Sequence, residues 1–340
     1  MGGPYFEDFA VGQVFDDAPG VTLTPGHAAL HQALFGDRLR LALDATLSET
    51  VTGNKRPFAN PMLVCNLAIG QTTEASQRVL GNLFYRGLVF LRPAFIGDTL
   101  ATRTKVVGLR QNQLRPGRPA TGMVTLEMEV SNQGGETVLH FWRCPMIACR
   151  DPEATTGRAD DIDVIPAELD MDKVKAAVPA GWRFDRFRER CPGRHFADVE
   201  AGTVYEIEAR DLVSCAPELA RATLNMAMTH LDAKISVYGV RLVFGGHVIA
   251  VAAAQALRAL PNLVTILAWR SCDHTGPVFE GDVLQTELTV DATHPADGGH
   301  GLVDLHAVVQ AERGAEASRA GMEAGAAAEV LDWRFVALLA

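Results

Sequence analysis

The sequence predicts an α+β fold made of two tandem copies of one unit, in which each copy has an antiparallel sheet wrapped around a long central helix. Two pairs of segments reveal the repeat. Residues 5–15 (YFEDFAVGQVF) return as residues 195–205 (HFADVEAGTVY), and residues 91–100 (LRPAFIGDTL) return as residues 275–284 (TGPVFEGDVL). In addition, each half ends on an aromatic, strand-like segment, VLHFWR in the first and VLDWRF in the second. The chain therefore contains the same succession of elements twice.

Each copy is predicted to start with a short strand, a turn and a first helix. In the N-terminal copy this helix begins at Thr24 and Pro25, because threonine is a good N-cap and proline suits the first helical position. Gly36 is expected to end it. In the second copy, Pro217 marks the same kind of helix start.

A longer helix follows in each copy, at residues 62–80 and 247–260. The second is apolar on almost every face, so the rest of its domain must surround it. The predicted strands come next, at residues 87–91, 98–107 and 123–130 in the first copy and 264–270, 282–290 and 302–310 in the second. Strands joined by turns after a buried helix form an antiparallel sheet curled around that helix, which is the hotdog arrangement. Pairing the two sheets edge to edge, as a tandem double hotdog, would cover the edge that each leaves exposed.

The repeat divides the chain into an N-terminal hotdog (residues 1–150), a linker (151–193) and a C-terminal hotdog (194–340). The linker is rich in Asp, Ala, Pro and Arg and is predicted to hold one short helix near residues 170–177. Residues 313–328, rich in Ala, Gly and Glu, are predicted to be a long loop or a frayed helix before the last strand.

Composition narrows the class of function. The 340 residues carry a net charge of -10, which argues against a sequence-independent nucleic-acid binder, since such a protein needs a basic face. No apolar run is long enough to span a membrane and no signal-peptide pattern is visible at the N-terminus, so a cytoplasmic protein without membrane contact is expected. The six cysteines form no CxxC pair and no histidine cluster has zinc spacing, so reduced thiols and no metal are predicted.

The end of the first helix carries the clearest chemical signal. Residues 22–37 resemble the start of the hydratase motif of MaoC-like (R)-specific enoyl-CoA hydratases, in which an Asp and a His five residues later flank the substrate double bond and handle its water. In the first copy, Asp37 keeps the Asp position and Ala42 stands at the His position. In the second copy, Asn225 stands at the Asp position and His230 keeps the His. Neither copy has the whole pair.

The start of the long helix separates the two copies. In the family this resembles, a glycine N–H at that start holds the thioester oxygen. Pro61 falls there in the first copy and has no N–H. Gly246, within Gly245-Gly246-His247, falls there in the second and lies at a helix N-terminus, whose dipole favours negative charge. The resemblance therefore implies a catalytic C-terminal hotdog and a degenerate N-terminal hotdog that supports the fold and part of the acyl-CoA site.

Hydration of an α,β-unsaturated thioester needs a water at the β-carbon, a proton at the α-carbon and stabilisation of the enolate oxygen. His230 is predicted to activate the water, Asn225 to position it and Gly246 to hold the oxygen. Asparagine cannot exchange a proton, so a second acid–base group is needed. The candidates for that group are Asp232, Asp273 and, first in preference, His247.

A longer string narrows the resemblance. Residues 217–247 and 269–277 are similar to the double-hotdog mesaconyl-CoA hydratases, also called β-methylmalyl-CoA dehydratases, in which Gly-Gly-His replaces His-Gly-Met. This similarity implies a short, branched, dicarboxylic acyl-CoA as substrate and no cofactor besides that thioester. Arg241 or Arg194 would then hold the free carboxylate. Gly245 and Asp273 are expected to line the substrate site.

Two other functions stay open. Hotdog proteins include thioesterases, which hydrolyse an acyl-CoA with a carboxylate and a water. The incomplete motif in both copies also allows a non-catalytic acyl-CoA-binding protein. Because a fused double hotdog already mimics the family's dimer, either a monomer or a homodimer of pseudo-dimeric subunits is expected.

Overall fold

The computed structural model describes residues 2–340. The helices are α1 (Pro25–Phe35), α2 (Arg40–Leu43), α3 (Ala45–Thr52), α4 (Pro61–Gln71), α5 (Met171–Ala176), α6 (Phe184–Arg190), α7 (Ala216–Ala222), α8 (Gly245–Ala259) and α9 (Ala315–Arg319). The strands are β1 (Val14–Phe15), β2 (Val21–Thr22), β3 (Val79–Phe90), β4 (Thr99–Gln111), β5 (Thr121–Ser131), β6 (Thr137–Ala148), β7 (Val204–Glu206), β8 (Asp211–Leu212), β9 (Leu263–Asp273), β10 (Val283–Pro295), β11 (Gly301–Glu312) and β12 (Ala327–Leu339).

All twelve strands belong to one antiparallel sheet with the order β1-β4-β5-β6-β3-β9-β12-β11-β10-β7, with β2 beside β4 and β8 beside β10. The two copies meet at its centre, where β3 pairs with β9 and Tyr85 faces Cys272. Each copy therefore covers the open edge of the other. The double hotdog predicted from the repeat is confirmed, and its two sheets are continuous across this join.

The long helices α4 and α8 lie at the centre of the molecule, packed against each other and against the sheet. Every residue of α4 is buried, and so is α8 from Gly246 to Leu257. Helices that are apolar on almost every face need such enclosure, because any exposed side would leave apolar surface in water. Within residues 2–340, no helix is both long and apolar enough to cross a membrane.

A glycine under an aromatic ring explains why the first motif repeats. Phe6 lies directly over Gly122 of β5, and Phe196 lies in the same way over Gly301 of β11. A Cβ at either glycine would overlap the ring. Both copies therefore anchor their N-terminal turn to the sheet with the same close contact.

The predicted helix at 62–80 was too long. The structure ends α4 at Gln71, and β3 begins at Val79, where it pairs with Ile147 of β6. Residues from Val79 onward form a strand because they pair with a distant segment, and local periodicity in the sequence does not indicate such pairing. The first helix was placed correctly, since the Thr24 side chain accepts from the His27 N–H and Gly36 has a φ of 57°.

The linker is more structured than predicted. Its first helix, α5, is capped by Asp170 and matches the expected short helix. The charged segment after it forms α6, which was not predicted and which packs against α3. For residues 313–328 the composition allowed either a long loop or a frayed helix. The structure has both, a loop that contains the short helix α9.

Candidate active site

A cavity of about 270 Å³ lies between the two copies, at the start of α8. The N-terminal copy contributes residues of β3 and β6, and the C-terminal copy contributes the segment 225–245 and the turn 274–278. Its polar lining comprises Thr73, Asn82, Tyr85, Arg143, Asn225, Thr229, His230, Tyr238, His274 and Thr275. A pocket formed by two packed units and lined by several polar groups is the arrangement typical of a binding site.

His230 is held in one orientation and one tautomer. Its Nδ1 lies 2.8 Å from the carbonyl oxygen of Leu242. A carbonyl only accepts, so Nδ1 carries the proton and Nε2 keeps its lone pair. Burial, helped by the positive charge of Arg143, lowers the pKa of His230 to about 4 against the opposing effect of the Leu242 hydrogen bond. His230 is therefore a neutral base at physiological pH.

Asn225 lies in the cavity as the counterpart of Asp37, the position that the motif predicted for it. Its Oδ1 accepts from the Ala227 N–H at 2.9 Å, while its Nδ2 is buried without a partner among the described residues. Asp37 makes the matching bond to the Leu39 N–H at 2.8 Å in the first copy. The free Nδ2 of Asn225 can donate to a water or to a substrate oxygen.

The cavity is lined by Gly245, one residue before the predicted oxyanion donor Gly246. Gly245 lines the cavity beside His274, whereas Gly246 lies behind it with its Cα packed on Asn66 of α4. The two helix starts are related by matching hydrogen bonds, Ala59 N–H to Ala94 O and Val243 N–H to Val278 O, each 2.9 Å. The counterpart of Pro61 is therefore Gly245.

The first-turn N–H groups of α8 are available to a ligand. Neither Gly245 N–H nor Gly246 N–H has an acceptor within residues 2–340, because the first bond of this turn runs from His247 N–H to Phe244 O at 2.8 Å. Free N–H groups at a helix N-terminus attract negative charge. Gly245 is thus the group suited to hold a thioester oxygen that becomes negative.

Two of the predicted acid–base candidates lie elsewhere. Asp232 is exposed, and its carboxylate accepts from the Lys234 N–H at 2.9 Å. His247 is buried outside the cavity, with its ring centroid 5.0 Å from that of Phe35. It points away because a side chain at the third residue of α8 projects to a different face from the N-terminal N–H groups. The structure does not bring either side chain to His230.

The predicted carboxylate clamps also lie outside the cavity lining. Arg241 and Arg194 are exposed. Asp273 forms an ion pair with Arg86 of β3 at 2.7 Å. Alternation along a strand explains the position of Asp273, because its neighbour His274 is the residue directed into the cavity.

Three cavity residues, His274, Tyr85 and Arg143, were not among the predicted site residues. Burial lowers the pKa of His274 to about 4, and its Nε2 has no partner among the described residues. Burial raises the pKa of the Tyr85 phenol, so it remains a neutral donor. An arginine inside the alternating strand β6 was the available signal for Arg143, since charged side chains are rarely buried without a reason.

The equivalent site of the N-terminal copy is filled. A remnant of about 20 Å³ remains beside Pro61 and the turn 92–94, at the position that corresponds to Gly245 and the turn 274–278. Linker residues occupy it: the Trp182 ring packs edge-on against Phe58, with centroids 5.5 Å apart. The first copy therefore lacks both the N–H donor and the space for a substrate.

Replacing Trp182 with alanine is expected to reduce the free energy of unfolding by about 3–5 kcal/mol, because it removes a buried aromatic side chain and leaves a cavity. The cavity at the start of α8 should be unaffected in this variant, because Trp182 does not line it. Urea unfolding measures the change. Trp142→Ala, at a half-buried indole on β6, is the matched control and should cost less. A Trp182→Ala protein as stable as the parent would contradict the packed plug.

Comparison with known proteins identifies the family of the chain. The family model described as mesaconyl-CoA hydratase matches residues 1–258. The chain belongs to the mesaconyl-CoA hydratase family. It is 31% identical to β-methylmalyl-CoA dehydratase of Chloroflexus aurantiacus over 83% of this chain and 80% of that protein. It is 30% identical to mesaconyl-CoA hydratase of Cereibacter sphaeroides over 90% of this chain and 89% of that protein.

The fold is also found in a solved structure. A conserved hypothetical protein of Mycobacterium tuberculosis, described as having a double hotdog fold, is 48% identical and matches with a TM-score of 0.90 over 100% of this chain and 99% of that chain. The resemblance to the mesaconyl-CoA hydratase family that the sequence indicated is confirmed. So is the assignment of the chain to the hydratases and dehydratases, the lyases that add or remove water.

Proposed function

We propose that the protein reversibly hydrates mesaconyl-CoA, or a near relative among the short, branched, dicarboxylic acyl-CoA thioesters, to a β-methylmalyl-CoA. One observation carries the proposal: a neutral histidine base, His230, and a free helix N-terminal N–H, that of Gly245, line the same cavity. These are the base and the oxyanion donor that hydration of an enoyl thioester requires. The named relatives support the substrate.

The cavity residues divide the reaction among them. Nε2 of His230 takes a proton from water as its oxygen bonds to the β-carbon, and the Asn225 amide orients that water. The electron pair of the double bond moves toward the thioester oxygen, where the Gly245 N–H and the dipole of α8 stabilise the negative charge. A proton then enters at the α-carbon. The newly protonated His230 supplies it, directly or by passing its proton through His274, so that both rings end neutral, and the exchange needs no metal or cofactor.

The direct test is to mix the purified protein with a panel of C4–C6 enoyl-CoA thioesters and to follow the enoyl-thioester absorbance. Loss of this absorbance with mesaconyl-CoA is the expected result. Release of free thiol, measured in parallel with a thiol-trapping reagent, would instead identify a thioesterase. Tight acyl-CoA binding without any turnover would identify a non-catalytic binding protein.

We further infer a cytoplasmic location. All six cysteines are free, and all but Cys215 are buried, which suits a reducing compartment. Monomer and homodimer of pseudo-dimeric subunits both fit the continuous sheet, because β3 and β9 already form within one chain the central pairing of the two copies. The mass of the native protein in solution distinguishes these states.

A further inference from the structure

Arg143 is a buried cation without a buried anion. Only 3% of this residue is exposed, on the strand β6 of the N-terminal copy. Its Nη2 donates to Thr72 O at 3.2 Å and to Ser76 Oγ at 2.6 Å, and its Nε has no partner. Among the described residues, its guanidinium forms no ion pair with a carboxylate.

Neutral acceptors do not neutralise a positive charge. Removing a charged group from water is costly unless an opposite charge accompanies it. Burial accordingly lowers the pKa of Arg143, with a partly compensating effect from the neighbouring Tyr85 hydroxyl. Arginine remains protonated in proteins, so the cavity wall carries a fixed positive charge that an anionic ligand would balance.

The second copy shows that the fold does not need this charge. Tyr85 of β3 and Arg143 of β6 are paired residues in the first copy. The corresponding pair on β9 and β12 of the second copy is Trp269 and Phe335, both fully buried. The polar pair lines the open cavity, whereas its apolar counterpart belongs to the hydrophobic core.

We propose that Arg143, assisted by the Tyr85 hydroxyl, binds the free carboxylate of the substrate and thereby selects dicarboxylic acyl-CoA thioesters. This inference rests on the proposed function and names the residue that sets its substrate class. A guanidinium suits a carboxylate, and the Nε–H of Arg143, which has no partner among the described residues, remains available to donate to one. In a malyl thioester, the carbon that bears the hydroxyl also bears the free carboxylate. Arg143 therefore neutralises a negative charge next to the carbon that water attacks.

The test compares two substrates with three variants. Mesaconyl-CoA carries the free carboxylate, and crotonyl-CoA is a monocarboxylic enoyl-CoA without it. Arg143→Met is expected to lower kcat/KM for mesaconyl-CoA by about 100-fold or more, since a buried charge partner is removed. Its kcat/KM for crotonyl-CoA should change less than about tenfold. Arg143→Lys, which keeps the charge without the planar fork, should fall between. Arg334→Met on β12, a half-exposed arginine paired with Asp291, is the control and should leave both values unchanged.

Calorimetric binding of mesaconyl-CoA separates this inference from the proposed function. Weaker binding to Arg143→Met than to the parent, with no turnover by either, would retain the carboxylate site and reject the hydratase. Equal losses for both substrates, or a parent enzyme that prefers crotonyl-CoA, would reject the carboxylate site and leave the hydratase standing. If Arg143→Met does not fold, Arg143→Lys is compared in the same way, because it keeps a buried cation.

Discussion

His230→Ala is expected to lower kcat for hydration by about 10²–10⁴-fold, the usual contribution of a positioned general base. The variant loses the Nε2 lone pair that faces the cavity, while Gly245 and the remaining polar lining stay in place. Binding of the acyl-CoA should change little by comparison, so the loss should appear in kcat. Steady-state kinetics with mesaconyl-CoA measures it.

The matched control is Asp37→Asn in the other copy. Asp37 lies at the position equivalent to Asn225, and asparagine can still accept the Leu39 N–H that Asp37 Oδ1 accepts now. This variant should keep most of the activity. Because His230→Ala also removes the bond to Leu242 O, worth about 1 kcal/mol, its unfolding should be compared with that of the parent. Equal losses of kcat in the two variants would contradict the assignment of the active site to the C-terminal copy.

Gly245→Pro is expected to cost about 10²–10³-fold in kcat beyond the cost of Gly245→Ala. Both substitutions add a Cβ beside His274, but only proline removes the N–H assigned to the thioester oxygen. Loss of one oxyanion donor typically has this magnitude. The comparison of the two variants therefore separates the effect of the added Cβ from the effect of replacing the N–H by the proline ring.

The backbone at this position can accept proline. Phe244 has φ −61° and ψ 127°, the extended region that a residue before proline prefers, and Asn60 before Pro61 has nearly the same angles. Position 245 is the first residue of α8, where proline is well tolerated. Folding should therefore survive, as judged by thermal unfolding. Equal activity of Gly245→Ala and Gly245→Pro would remove this N–H from the mechanism.

The sequence by itself determined the repeat, the double hotdog and the inequality of its two copies. Local signals suffice for these, because Thr24 caps a helix, Pro61 lacks an N–H wherever it lies, and His230 stands at a motif position that Ala42 leaves empty. Such properties depend on residue type and on spacing between residues close together in the sequence. They can therefore be predicted without knowing which distant residues each one contacts.

Tertiary structure alone decided which residues meet. The pairing of β3 with β9 brings the first copy to the second copy's cavity, and so places Arg143 near His230, residues far apart in the chain. The bond from Val243 N–H to Val278 O holds the start of α8, which places Gly245 in the cavity lining and leaves His247 outside it. Packing of Trp182 fills the equivalent site. Long-range pairing and close packing set these outcomes, and neither leaves a periodic signal in the sequence.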